Sequence, residues 1–190
     1  MRRPLAPLLA CLVFCACKEE DGVLGENGLD PVAYLGLEEG ASWVYRDDGS
    51  QDPPDAEGLL QARLMDVDEG RVEFRRGVRW ADGDDEGWMV WGTQGGISLE
   101  SWSFHGFSGD ESLPMTRGSQ ESGTSVGIQG WSCTLNLLPE IVTYYATYEH
   151  PIEIDCSGSK GIPGRWYLVR DFGLVLLESD AFTLDIVAPW

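Results

Sequence analysis

Basic side chains are scarce in this sequence: Lys and Arg number 13 against 32 Asp and Glu, for a formal net charge of −19. A nucleic-acid binder must neutralise phosphates with a basic face, and this chain has too few cations to build one. Nucleic acid is excluded as a partner, and anionic headgroups are a poor match for the folded surface. Histidine is rarer still, with only His105 and His150, far apart in sequence. Two imidazoles without ligand spacing make no transition-metal centre, and no cofactor is expected. Long apolar runs are also lacking. The longest, Pro4 to Ala16, falls well short of the ~20 residues a membrane-spanning helix needs. No stretch has helical periodicity long enough to predict a bundle.

What is present begins at the N-terminus. Met1-Arg2-Arg3 is a short basic head, residues 4–16 are apolar apart from prolines, and the text turns polar directly after Cys17. That is the layout of a bacterial export signal. Phe14-Cys15-Ala16-Cys17 resembles the lipobox of bacterial lipoproteins. The resemblance implies a signal peptide over residues 1–16 and cleavage before Cys17. It also implies a diacylglyceryl thioether on that cysteine and acylation of the new amine, palmitate being the expected chain. Cys15 fits poorly because cleavage would follow the bulky Phe14, and Cys11 leaves an apolar run at the lower limit of a signal. Two or more chains matter, since each buried methylene contributes about 0.8 kcal/mol and a single chain binds only marginally. Lys18 stands where an aspartate would, by resemblance to enterobacterial sorting, retain the protein at the inner membrane. An outer-membrane location is therefore expected.

Removing residues 1–16 takes away Arg2 and Arg3 and leaves a mature net charge of about −21. Cys133 and Cys156 are then the only thiols besides the anchor. An even pair in an exported chain predicts a disulfide, with two buried free cysteines as the alternative. The stretch "KEEDGVLGENGLDP", residues 18–31, has no apolar period and predicts, with Cys17, a flexible acidic tether over 17–31.

From Val32 to Trp190 the period is two. "RVEFRRGVRW" sets Val72, Phe74, Val78 and Trp80 against charged neighbours, and similar text returns in "GWMVWG", "IVTYYATYEH", "RWYLVRD" and "GLVLLES". Turn dipeptides such as Asp48-Gly49, Gly95-Gly96 and Ser157-Gly158 fall between. The expectation is an all-β domain of about ten strands: a single curved antiparallel sheet, a half-barrel, or a two-layer sandwich. Trp43 and Tyr45 fall on one face of one strand and are expected to plug the core.

"GLEEGASWVYRD" (36–47), "WGTQGGISLES" (91–101), "SLPMTRGSQ" (112–120) and "GRWYLVRDFGLVLLES" (164–179) are similar to ordered blocks of a broad class of bacterial envelope lipoproteins. The resemblance implies a curved antiparallel sheet and no settled activity. Leu37 follows Gly36 where that class tends to have proline.

Two patterns suggest chemistry. "GTSVG", Gly123–Gly127, matches the GxSxG nucleophile elbow, with Glu140 and His150 following in an order that a triad allows. The elbow requires a strand, a strained turn and a helix, whereas here polar loop and β-like text flank Ser125, so a Gly/Ser-rich loop is expected. "ADGDDEGW" places Asp82, Asp84 and Glu86 at alternate positions before Gly87, as in the first half of a calcium loop. The bidentate acid is missing, Thr93 occupying the twelfth position, so a solvated acidic turn is the expected role and a weak calcium site the lesser one. The reading is a non-enzymatic, membrane-anchored module for an envelope protein partner. The alternative is a carrier whose curved sheet encloses a lipophile or acyl chain.

Overall fold

Alternation of side chains, punctuated by Gly-containing turns, makes strands the dominant element among the described residues. The computed structural model describes residues 28–36, 42–46, 59–68, 71–77 and 88–189, with 42, 59–68, 71–77, 188 and 189 described by backbone alone. After a 3-10 turn at Pro31–Tyr34 come β1 (Ser42–Arg46), β2 (Leu59–Asp68), β3 (Arg71–Gly77), β4 (Trp88–Gly92) and β5 (Ser98–Phe104). Next are β6 (Phe107–Gly109), β7 (Leu113–Pro114), β8 (Thr124–Ile128), β9 (Trp131–Leu137) and β10 (Glu140–Val142). The series closes with β11 (Thr147–Glu149), β12 (Ile152–Gly158), β13 (Gly164–Val169), β14 (Gly173–Glu178) and β15 (Thr183–Pro189).

Thirteen strands form one antiparallel sheet in the order β6-β5-β4-β3-β2-β1-β15-β14-β13-β12-β9-β8, with β7 on β5; β10 and β11 pair separately. The all-β class is as the alternation predicts, and of the architectures it left open the structure takes the single curved sheet. The strand count is higher than ten because β6 and β7 are too short to show a period and because one alternating stretch, residues 140–149, is two strands. The sheet curls until its ends approach through β7. The Trp131 indole donates to the Pro114 carbonyl at 3.0 Å, and the Gln120 side-chain amide donates to the Thr124 carbonyl at 2.8 Å. Among the described residues no ladder joins the two ends.

Curling turns one face of the sheet inward, and among the described side chains that face carries Trp43, Tyr45, Trp91, Trp131 and Trp166. Trp166 is fully buried and meets Trp91 edge-on at a centroid distance of 6.3 Å. On β1, the Trp43 indole donates to the Phe172 carbonyl at 2.9 Å and the Tyr45 hydroxyl to the Leu174 carbonyl at 2.6 Å. Both rings plug the core as expected, each with its polar atom satisfied.

Packing starts earlier than the change of period at Val32. Leu29 is 1% exposed and exchanges backbone hydrogen bonds with Gln120 at 3.0 and 3.1 Å. Asp30 Oδ1 accepts from the Val32 amide and caps the 3-10 turn, which delivers Tyr34 and Leu35 to the core. Three apolar residues spaced through a Gly/Asp-rich stretch are enough to seat it, though they are too sparse to read as a strand. Gly36 (φ +60°) closes this segment, and a Cβ there would stand 2.5 Å from the Phe172 backbone. Cys133 and Cys156 lie directly opposite each other on β9 and β12 with Cα atoms 4.1 Å apart, joined as the predicted disulfide.

Candidate functional site

β9 and β12 do not end where the sheet does. Their pairing phase runs on unbroken from Trp131↔Gly158 through Ile152↔Leu137 to Glu140↔Glu149 and Val142↔Thr147. Backbone bonds from Leu138 to Pro151 and from His150 to Pro139 bridge the two halves. Residues 131–158 are thus one hairpin whose outer half, β10 and β11, leaves the sheet at Pro139 and Pro151. Neither proline can donate to a ladder, which suits them to the point where one sheet stops and another begins. The turn, Thr143-Tyr144-Tyr145-Ala146, has no Gly, Asn or Pro. Thr143 replaces them: its amide and its hydroxyl both donate to the Ala146 carbonyl at 2.9 Å.

This arm crosses to β1. Tyr148 packs against Phe172 at 5.3 Å between ring centroids, and the Tyr144 amide donates to Asp185 Oδ1 on β15 at 3.0 Å. The dimensions agree. From Pro139 to Tyr144 an extended chain covers about 17 Å, and the four strand spacings from β12 to β1 amount to about 19 Å.

The anchor beneath the tip is a buried ion pair. Asp185 and Arg46 are neighbours in register on β15 and β1, facing away from the core lined by Ile186 and Tyr45. Arg46, 2% exposed, donates from Nη2 to Asp185 Oδ2 at 2.8 Å, and its guanidinium lies 4.3 Å from the Tyr144 ring centroid. A guanidinium taken out of water needs both a carboxylate and an aromatic face to offset the desolvation, and the arm supplies the second. Tyr148, on the arm's inner face, is pushed up to about 12 by burial first, with Tyr145 and Asp185 adding to it. Its hydroxyl has no hydrogen-bond partner among the described residues.

The arm's two faces differ as alternation dictates. Ile141 and Tyr148 pack inward, while Glu140, Val142, Thr147 and Glu149 are exposed. Among the described residues four large apolar side chains are exposed, and three of them are here: Val142 at 68%, Tyr144 at 43% and Tyr145 at 50%, the fourth being Ile128.

From sequence alone "IVTYYATYEH" reads as one alternating stretch, which conceals this site. The available signal was the pair of prolines flanking an alternating stretch with no turn residue at its centre. Of the residues singled out from sequence, Cys17 and the calcium candidates Asp82, Asp84 and Glu86 lie outside the described residues. Ser125 sits mid-strand in β8, exposed, its Oγ 2.8 Å from Thr134 Oγ1, with no helix following. His150 is at the base of the arm, its amide bonded to Pro139, five residues along β9 from Thr134 and so about 17 Å away. The structure does not bring Ser125 and His150 together, and Glu140 lies further out along the arm. His105 stacks on Phe182 at 4.2 Å, in the turn after β5. An open groove of about 520 Å³ crosses β12 to β14; its one cation, Arg165, is paired with Glu178 at 2.9 Å.

No protein-family model and no curated protein matches the chain. Among solved structures it is similar to one from Bacteroides fragilis, described as an exported protein with a YmcC-like fold, at 10% identity and a TM-score of 0.41. A second, described as a lipoprotein from Parabacteroides distasonis, is similar at 11% identity and a TM-score of 0.43. Each alignment covers 83% of this chain and 98% of the other.

Proposed function

We propose that this protein is an envelope lipoprotein, anchored through Cys17 in the outer membrane, that works as a non-enzymatic interaction or scaffold module with the tip of the β10–β11 arm as its contact surface. The observation that carries the reading is the concentration of exposed Val142, Tyr144 and Tyr145 on an arm held rigid from below. Exposed apolar side chains scattered singly need no explanation, whereas a cluster on a preorganised element marks an interface. Tyrosine in particular is enriched where interfaces concentrate their energy. The disulfide supports an oxidising compartment, in line with the lipobox.

The interior favours a scaffold over a lipophile carrier. Trp91, Trp131 and Trp166 are packed into the described core, each at most 3% exposed, with Trp91 edge-on to Trp166. The test is chemical crosslinking in intact envelopes, comparing wild type with a Val142→Ala/Tyr145→Ala variant. A discrete crosslinked species present with the first and lost with the second is expected; identical patterns would sink the reading. Mass spectrometry of membrane-extracted protein checks the anchor: wild type carries acyl chains on Cys17, and Cys17→Ser leaves the membrane fraction.

A further inference from the structure

We infer that the outer face of the arm takes a cationic partner: a short extended segment of another protein bearing arginine or lysine beside an apolar side chain. This rests on the arm being a contact surface and adds what it contacts. Glu140 and Glu149 are directly opposed in register, both exposed, and neither has an ion-pair partner among the described residues. Like charges facing each other across two strands are destabilising, and a two-stranded ribbon has little stability to spare. Val142↔Thr147 follows on the same face, and the tyrosine tip lies about 13 Å from the glutamates, four residues along the strand.

A cation between the two carboxylates would interact with both and relieve their repulsion. Residues next to it in an extended chain would then reach Val142 and Tyr145. The tip already shows the chemistry from below, where the Arg46 guanidinium lies against the Tyr144 ring. The net charge of −19 repels acidic partners and anionic bilayers alike, and it steers a basic segment inward. A bilayer is the competing occupant for exposed tyrosines, but two opposed carboxylates are costly to bring into a headgroup layer.

The experiment uses the full chain carrying Cys17→Ser, which removes the acylation site, and the peptide Leu-Arg-Ser-Arg-Leu-amide carrying a zwitterionic rhodamine on its amino end, titrated by fluorescence anisotropy. Its analogue with citrulline for both arginines is the same shape without charge. Glu140→Gln/Glu149→Gln removes the two facing charges, and Asp155→Asn/Asp180→Asn removes two exposed charges elsewhere. The arginine peptide is expected to bind at least about tenfold tighter than the citrulline peptide. The glutamate variant should weaken it by about three- to tenfold, the loss of two exposed ion pairs, and the aspartate variant by less than about twofold. Equal weakening by both variants would mean diffuse attraction to an acidic surface and overturn the inference. Loss on Val142→Ala/Tyr145→Ala with no change on the glutamate variant would keep the arm as a contact surface and overturn its preference for cations. Co-sedimentation of the unlipidated chain with phosphatidylcholine vesicles, abolished by Val142→Ala/Tyr145→Ala, would assign the arm to the bilayer and overturn it as well.

Discussion

Removing one member of the Arg46–Asp185 pair tests whether the arm is held by a buried charge. Asp185→Asn keeps an acceptor for the Tyr144 amide but removes the carboxylate that stands 2.8 Å from a guanidinium at 2% exposure. Breaking a buried pair from one side costs about 3–5 kcal/mol, and because the Asp185 side chain is 12% exposed the lower end applies, about 3 kcal/mol. Arg46→Met strands the carboxylate and should cost a similar amount. Arg46→Met/Asp185→Asn removes both charges and should lose clearly less than the two single losses combined, the difference being at least about 2 kcal/mol. Urea unfolding under non-reducing conditions reads this directly. With a slope of about 2 kcal/mol per molar, each single variant moves its midpoint down by about 1.5 M. Amide exchange locates the effect, with Tyr144 losing protection before the core strands do. Single losses below about 1 kcal/mol, or strict additivity in the double variant, would refute a buried, mutually dependent pair.

Replacing Cys133 and Cys156 by serine should lower stability by about 3 kcal/mol for a loop of 23 residues, read as the urea midpoint against the oxidised wild type. Tyr148 has a raised pKa in the folded chain, so the folded state holds its proton more tightly than the unfolded state does. Its contribution is complete below pH 10 and is lost as pH rises from 10 through about 12; stability over that window should fall less steeply in Tyr148→Phe than in wild type. Gly36→Ala forces an alanine to φ +60° with its Cβ against the Phe172 backbone, and thermal unfolding should show a loss of about 2–4 kcal/mol.

The fold was legible because its signals are local. Alternation in β9, β12, β13 and β14 gives strands without knowledge of their partners, and an even pair of cysteines left over after an export-type leader gives the disulfide by parity. Trp43 and Tyr45 could be assigned to the core because two aromatics separated by one residue share a face. The site was not legible for the opposite reason. Arg46 and Asp185 lie 139 positions apart and become neighbours only when β1 pairs with β15. The Thr143–Ala146 turn hides itself by using a threonine hydroxyl where glycine or asparagine is the usual marker. Leu29 reads as linker because its partner, Gln120, lies far along the chain.

One consequence of the Cys133–Cys156 bond reaches beyond stability. Because the same pairing phase runs from that bond to Val142↔Thr147, the covalent link is a phase mark for the whole hairpin. A slip of one residue in either strand would turn that strand's side chains over, moving Glu140 or Glu149 under the arm and Ile141 or Tyr148 into water. Reduction would remove that mark and leave the phase to the buried faces of the two strands. The bond therefore fixes which side of the arm the outside world meets.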